Sequence, residues 1–194
     1  MNKFKKIVYG ATVLVFASMV TTSSMAASEL AGPYFGFSAS SNGLELDGNH
    51  NATSTADAKT SGKIGAVAIA AGFEAGWNIP VGEMFMIDVG ATLISGSADM
   101  SSSTSDTSAA ASVTFQADDF MTFYIAPSIA IGDNSSMYIK FGTAEAETTV
   151  SGDVTAPADL DGDVVAVGTR TLLGSGLFIR TEAGMIDYDQ ITST

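Results

Sequence analysis

Six charged residues stand out in this sequence because each lies in a stretch that otherwise consists of apolar and small residues. They are Glu74, Asp88, Lys140, Arg170, Arg180 and Glu182. Three basic groups accompany three acidic groups, and charges that leave water must be paired. This balance favours a buried salt-bridge network, with two interpretations: a gate for ions or simple neutralisation. We favour neutralisation, because pairing is required whatever the function is.

The acidic run Asp159, Asp161 and Asp163 resembles part of a calcium-binding loop. An EF-hand places its glycine two residues further on and needs a later Glu, so the spacing does not match. We therefore expect weak attraction of divalent cations by acidic loops and no specific metal site. Cysteine is absent and His50 is the only histidine, so we predict no enzyme, no catalytic residue and no cofactor.

Composition restricts the class of protein. The formal net charge is −13, from 21 acidic and 8 basic residues, so the chain should repel nucleic acid. Only 15% of the 194 residues are charged, whereas a soluble surface usually carries more than about a quarter. Something other than charge should therefore cover the outside of the molecule.

The first 26 residues read as a secretory signal peptide. Lys3, Lys5 and Lys6 precede the apolar stretch 7–20, and the small residue Ala26 follows at a suitable cleavage position. The apolar stretch is too short for a membrane-spanning helix, which needs about 20 residues. We predict a leader over 1–26 and a single domain over 27–194.

Residues of the predicted domain alternate in type with a period of two, which indicates strands. In the segment 120–132, Phe123, Ile125 and Ile129 fall on one face, and Tyr124 and Ala126 fall on the other. The same alternation recurs in six more segments: 34–38, 67–77, 85–93, 137–144, 165–172 and 177–185. We therefore predict seven strands.

The polarity of the two faces is the reverse of that in a soluble barrel, where the apolar face fills the interior. The six charged residues share their face with many glycines and alanines, while the other face is almost free of charge. Lipid accepts an apolar outer face, and a closed barrel leaves no unpaired backbone edge. The pattern predicts an all-β fold: an antiparallel up-and-down transmembrane β-barrel of the eight-stranded type.

The predicted connections alternate between short and long. The short ones cover 78–83, 133–136 and 173–175, and the long ones cover 41–62, 95–112 and 146–163. In a meander, the short turns then lie at one end and the long loops at the other. Outer-membrane barrels have this asymmetry, with short turns on the periplasmic side.

Aromatic residues near both ends of the strands suggest two interfacial belts. Trp77, Phe85, Phe141 and Phe178 lie near short turns, and Phe115 and Tyr188 lie near long loops.

The last predicted strand carries a resemblance to a known family. Residues 176–189 read as apolar residue, Arg180, small residue, Glu182 and then Tyr188 before an acid. This strand, with the alternation and the long loops, resembles the outer-membrane protein A-like, opacity-type porin-family β-barrels over about 28–194. The resemblance implies an eight-stranded barrel in the outer membrane of a Gram-negative bacterium.

Seven strands do not make an even number, which bacterial barrels have. We expect that the C-terminal strand is missing, because the family usually ends in an aromatic residue and Thr194 is not one. The alternative is that 113–119 forms a separate strand, with a turn at 117–119.

These observations lead to one function hypothesis and two rivals. The first is an outer-membrane barrel with a filled lumen and a structural or surface-interaction role, whose partners are outer-membrane lipid and the barrel-insertion machinery. The second is a narrow porin-like channel for ions or small solutes. The third is a soluble secreted β-sandwich that acts as a binding module.

Overall fold

The computed structural model of the chain describes residues 4–6, 8–10, 30–51, 59–103, 112–151, 159–173 and 177–189. Regular structure in these ranges consists of nine β-strands. They are β1 (Phe4–Lys6), β2 (Val8–Gly10), β3 (Gly32–Asn51), β4 (Lys59–Pro80), β5 (Phe85–Ser103), β6 (Ser112–Ala130), β7 (Ser135–Ser151), β8 (Leu160–Leu172) and β9 (Phe178–Tyr188). The described residues contain no helix that is long and apolar enough to cross a membrane.

All nine strands belong to one sheet, in the order β1-β3-β4-β5-β6-β7-β8-β9-β2. The seven long strands β3 to β9 form an antiparallel meander in which each strand pairs with the next along the chain. The sheet curls strongly, because side chains of β9 contact side chains of β4 across its interior. The prediction of seven antiparallel strands is confirmed, and a single curled sheet differs from the two stacked sheets of a sandwich.

The alternation in the sequence determines which side chains face the interior. In β6, Tyr124 and Ala126 are buried, while Phe123 and Ile125 between them are about half exposed. The same inside-outside alternation runs through β7 to the buried Lys140 and the exposed Phe141. The interior thus holds the charged residues and many small ones together with a few large apolar side chains, and most of the large apolar side chains project outward.

The prediction of long loops is wrong for most of their residues, because strands occupy these positions. β3 continues to Asn51, β5 to Ser103 and β7 to Ser151, while the stretches 52–58, 104–111 and 152–158 lie outside the described residues. The predicted loop residues that lie within these strands include many Ser, Thr and Gly and lack apolar alternation, but backbone pairing between strands does not depend on that alternation. The short turns at 81–84 and 131–134 agree closely with the prediction, and most of the short connection predicted at 173–175 lies outside the described residues.

The alternative of an additional strand at 113–119 is wrong. Residues 112–130 form one continuous strand, β6, with an irregularity in its pairing between Asp118 and Phe120. Asp119 adopts a φ of 44° at this irregularity, and β6 stays paired with β7 on both sides of it, as at a β-bulge and not at a reversal of the chain. A bulge changes the direction of its strand, and this one lies near the point where pairing between β4 and β5 ends.

The sheet opens on one side near this bulge. Pairing between β4 and β5 covers ten residue pairs, from Pro80↔Met86 to Ala71↔Ser95, and stops there. Beyond Ser95, β5 remains paired with β6, while β4 remains paired with β3 as far as Lys59↔Asn51. The long-connection end therefore consists of two separate groups of paired strands.

Six residues of the predicted leader are among those described. Phe4–Lys6 pairs with β3 and Val8–Gly10 pairs with β9. The other residues of the predicted leader lie outside the described residues.

Candidate functional site

The six charged residues picked out in the sequence lie together in the interior of the curled sheet. They come from five strands, with Glu74 on β4, Asp88 on β5, Lys140 on β7, Arg170 on β8, and Arg180 and Glu182 on β9. Tyr34 on β3 and Tyr124 on β6 complete the set, so that every long strand contributes. We call these side chains, together with Tyr138 of β7, the interior cluster.

Arg180 occupies the centre of the interior cluster and has no exposed surface. Its Nη1 donates to Glu74, and its Nη2 donates to Glu182 at 3.1 Å. Its Nε donates to the Tyr138 hydroxyl at 2.6 Å, and Asp88 Oδ2 lies 3.7 Å from Nη1. One guanidinium therefore connects β9 with β4, β5 and β7, which matches the fixed fork of donors that Arg presents.

The other two cations each have a carboxylate partner. Arg170 Nη2 donates to Asp88, and Lys140 Nζ donates to Glu182 at 2.8 Å. Arg170 also lies over the Tyr34 ring at 4.5 Å, and Lys140 lies over the Tyr124 ring at 4.2 Å. Each cation is thus compensated by a carboxylate and by the negative face of an aromatic ring.

Sequence reasoning missed the three tyrosines. The Tyr34 hydroxyl donates to Asp88 at 2.7 Å, Tyr124 donates to Glu74 at 2.6 Å, and Tyr138 donates to Glu182 at 2.8 Å. The hydroxyls of Tyr34 and Tyr124 also meet, at 2.5 Å. Each carboxylate of the interior cluster therefore accepts from a tyrosine as well as from a cation, as buried charge requires.

Each of these tyrosines lies opposite a glycine in the neighbouring strand, a relation that only the strand register reveals. Tyr34 pairs with Gly76, Tyr124 with Gly90, and Tyr138 with Gly168. A Cβ added to any of these glycines would collide with the tyrosine. The hydroxyl end of each ring therefore lies close over its glycine.

Below the interior cluster, at the end with the short turns, the interior is apolar. This layer consists of six buried residues that contact one another: Leu30, Tyr34, Met86, Ala130, Leu172 and Phe178. The rings of Tyr34 and Phe178 pack edge to face, with centroids 5.6 Å apart. The layer and the interior cluster together occupy this half of the interior.

The aromatic belt needs correction at two positions. Trp77, Phe85 and Phe141 project outward and are roughly half exposed. Phe178 and Tyr188 are buried in the interior, with 1% and 4% of their surface exposed, because both lie on the row that alternates inward with Arg180. The side chain of Phe115 lies outside the described residues.

Acidic side chains mark the upper limit of the apolar outer face, at the end with the long connections. Asp163 and Asp187 are paired neighbours on β8 and β9, and Glu145 pairs with Asp161 on β7 and β8. A cavity of about 480 Å³ lies on this surface, and its lining includes Asp119, Glu145, Glu147, Asp159 and Asp161. We call the five acids that line this cavity the acidic rim.

No metal centre can be assigned within the described ranges, where no three His, Cys, Asp or Glu side chains are placed to hold an ion. Weak attraction of divalent cations by the acidic loops stays a prediction. His50 lies on β3. The interior cluster itself contains three cations and three carboxylates, so it is neutral as a whole.

The fold and the cluster define a class of protein: an all-β chain whose antiparallel sheet curls around paired charges and turns its apolar side chains outward. Comparison of the chain with models of protein families and with curated proteins finds no match.

Proposed function

We propose that this chain is an outer-membrane β-barrel protein with a filled lumen and a structural or surface-interaction role. The observation that carries the proposal is the reversal of the two faces. Arg180, Arg170 and Lys140 are buried, while large apolar side chains such as Phe37 and Trp77 are exposed by 66% and 53%. A sheet surrounded by water would reverse this arrangement, because burying apolar surface is the main favourable term in folding.

The height of the apolar outer face supports a membrane. The β4–β5 ladder extends over ten residue pairs before the sheet opens, and β9 is 11 residues long. A tilted transmembrane strand needs about 9–11 residues. Backbone groups in hydrocarbon must also be paired, and the opening above Ser95 falls beyond this height.

The position of the acids supports the same boundary. Below the acidic rim, the outward residues of β7 are Met137, Ile139, Phe141 and Thr143. At the rim itself, Glu145 and Glu147 project outward from β7. Ionised side chains begin where a lipid-covered face would end, and we propose that the strands beyond the rim extend into the external medium.

Side chains that occupy the interior favour a structural role over a channel. The interior cluster spans all seven long strands, and the apolar layer of Met86, Leu172 and Phe178 lies beneath it. Eight strands leave an interior just wide enough for side chains. On this proposal the cluster holds the wall together, and the rim and its paired strands provide the surface for interactions.

The resemblance to opacity-type porin-family barrels agrees with the proposal, and it supplies the location and the partners. These are the outer membrane of a Gram-negative bacterium, its lipid and the barrel-insertion machinery. The leader predicted over 1–26 would export the chain to that membrane.

The single tryptophan permits a direct test. Trp77 projects from the outer face of β4, near the short turn. We expect its fluorescence to be quenched in vesicles of brominated phosphatidylcholine and protected from aqueous iodide. As a matched control, W77F with V81W moves the indole into the exposed turn at 81–84, and we expect iodide to quench it and bromine not to.

Folded protein should also migrate differently on a gel before and after boiling. A chain that stays in the aqueous phase without detergent, with Trp77 open to iodide, would overturn the proposal and favour a soluble binding module.

A further inference from the structure

One member of the apolar layer at the end with the short turns does not belong to a strand. Leu30 lies before the first residue of β3 and is 3% exposed. Four of its neighbours in the layer lie at or next to the ends of their strands: Met86, Ala130, Leu172 and Phe178. Leu30 therefore lies in the mouth that these strand ends surround.

The backbone of Gly32 directs Leu30 into this mouth. Gly32 has a φ of 108°, which glycine adopts readily and other residues rarely adopt. A Cβ added to Gly32 would have no atom within 4 Å, so lack of space does not explain the glycine. The backbone conformation requires it, and this conformation lets the chain enter β3 from the mouth.

Two polar atoms buried beside the layer have no hydrogen-bond partner within the part of the chain that the structure describes. They are Asn78 Oδ1 and Arg170 Nε. Asn78 Nδ2 lies 3.6 Å from Met86 Sδ, and the Arg170 guanidinium lies over the Phe178 ring at 5.0 Å, so both residues adjoin the layer. A buried polar atom without a partner destabilises the state that buries it. Water that enters at the mouth would stabilise both atoms, whereas burial of Leu30 favours a closed mouth.

We propose that Leu30, Ala31 and Gly32 form a stopper that closes the interior to water at the end with the short turns and is poised to open. The seated stopper buries Leu30, and the lifted stopper hydrates Asn78 and Arg170. Because these contributions oppose each other, a small change in either one shifts the balance. The stopper goes beyond the proposed function, and it operates whether lipid or water surrounds the sheet. Its residues follow the predicted leader 1–26 and stay in the chain after leader removal.

The absence of cysteine from the chain permits a test by thiol labelling. The reporter is A130C, because Ala130 is 6% exposed and shares the layer with Leu30. The probe is a negatively charged, water-soluble methanethiosulfonate, and its rate of reaction with the folded full chain is measured. We expect G32A to raise this rate about tenfold, because a Cβ disfavours the backbone conformation that seats Leu30. G82A is the matched control and should leave the rate unchanged, because its Cβ also has open space but its φ is not positive.

Further variants change side chains of the closed mouth without altering Gly32. L30A removes most of the stopper side chain and should raise the A130C rate several-fold, whereas L30M retains its volume and should not. N78L replaces the amide by an apolar side chain of similar size. It should lower the rate below that of A130C alone, because the closed mouth then buries one unpaired atom fewer. A general loss of stability would change the rate in the opposite direction.

A second reporter distinguishes an open mouth from a loosened sheet. Ala144 lies on β7 beyond the interior cluster and is 1% exposed, so A144C should stay unreactive with G32A and with L30A. Equal acceleration at A130C and A144C, no acceleration with either stopper variant, or no slowing with N78L would overturn the stopper. Trp77 quenching is an independent measurement. Its failure alone would contradict only the membrane proposal, and failure of the labelling test alone would contradict only the stopper.

Discussion

The two ends of the curled sheet differ in where their charged side chains lie. At the end with the short turns, Arg180 and Glu74 are completely buried and meet inside the sheet. At the end with the long connections, Glu145 and Glu147 project outward from the same sheet. Buried and exposed charges thus lie at different positions along the strands as well as on different faces of the sheet.

The difference shows what permits a charge to be buried here. Every carboxylate of the interior cluster has a cation and a tyrosine hydroxyl, as Glu182 has Lys140 and Tyr138. The acidic rim contains five carboxylates and no cation among its lining residues. Such a group can only be stable where water solvates it.

The largest expected effect comes from removing the central cation. Arg180→Met leaves Glu74 and Glu182 without their guanidinium, and we expect a loss of about 3–5 kcal/mol in the free energy of unfolding. Urea unfolding in detergent micelles, followed by Trp77 fluorescence, measures it. The double variant R180M/E74Q should recover part of the loss. A loss below about 1 kcal/mol would mean that the cluster does not hold the strands together.

A smaller effect is expected where a tyrosine covers a glycine. Gly168→Ala places a Cβ against the Tyr138 hydroxyl and should cost about 1–3 kcal/mol through overpacking. Gly132→Ala is the matched control, because its added Cβ has no atom within 4 Å. Equal stability of the two variants in the same urea assay would refute close packing of Tyr138 on Gly168.

The acidic rim should tolerate substitution. Glu145→Gln changes an exposed side chain, and we expect the free energy of unfolding to change by about 0.5 kcal/mol or less. The same urea assay, run beside R180M, measures the contrast between the two ends. A loss as large as that of R180M would show that the two ends of the sheet do not differ in how strongly their charged side chains stabilise the fold.

No effect on conductance is expected from the interior cluster. Glu182→Leu removes the partner of Lys140, which should lower the temperature of unfolding. With a filled lumen, planar-bilayer recordings of wild type and E182L should both lack discrete channels. Altered conductance with unchanged stability would instead favour the ion gate.

Much of the fold and of the cluster could be predicted from residue types. The alternation through 120–132 gave the faces of β6, and the balance of six charges indicated that they would meet. The tyrosines were missed, because a pattern of single positions does not show that Tyr34 lies opposite Gly76. Phe178 was misassigned to the outer belt, because its nearness to a turn was given more weight than its inward row with Arg180.

By itself the sequence determined that the chain forms strands, which face each side chain takes, and that its buried charges balance, because period and composition are local properties. Only the tertiary structure decided which strands pair, which cation meets which carboxylate, and how far the ladders extend beyond the apolar band. Those features depend on register and curvature, which arise when distant segments such as β4 and β9 come together.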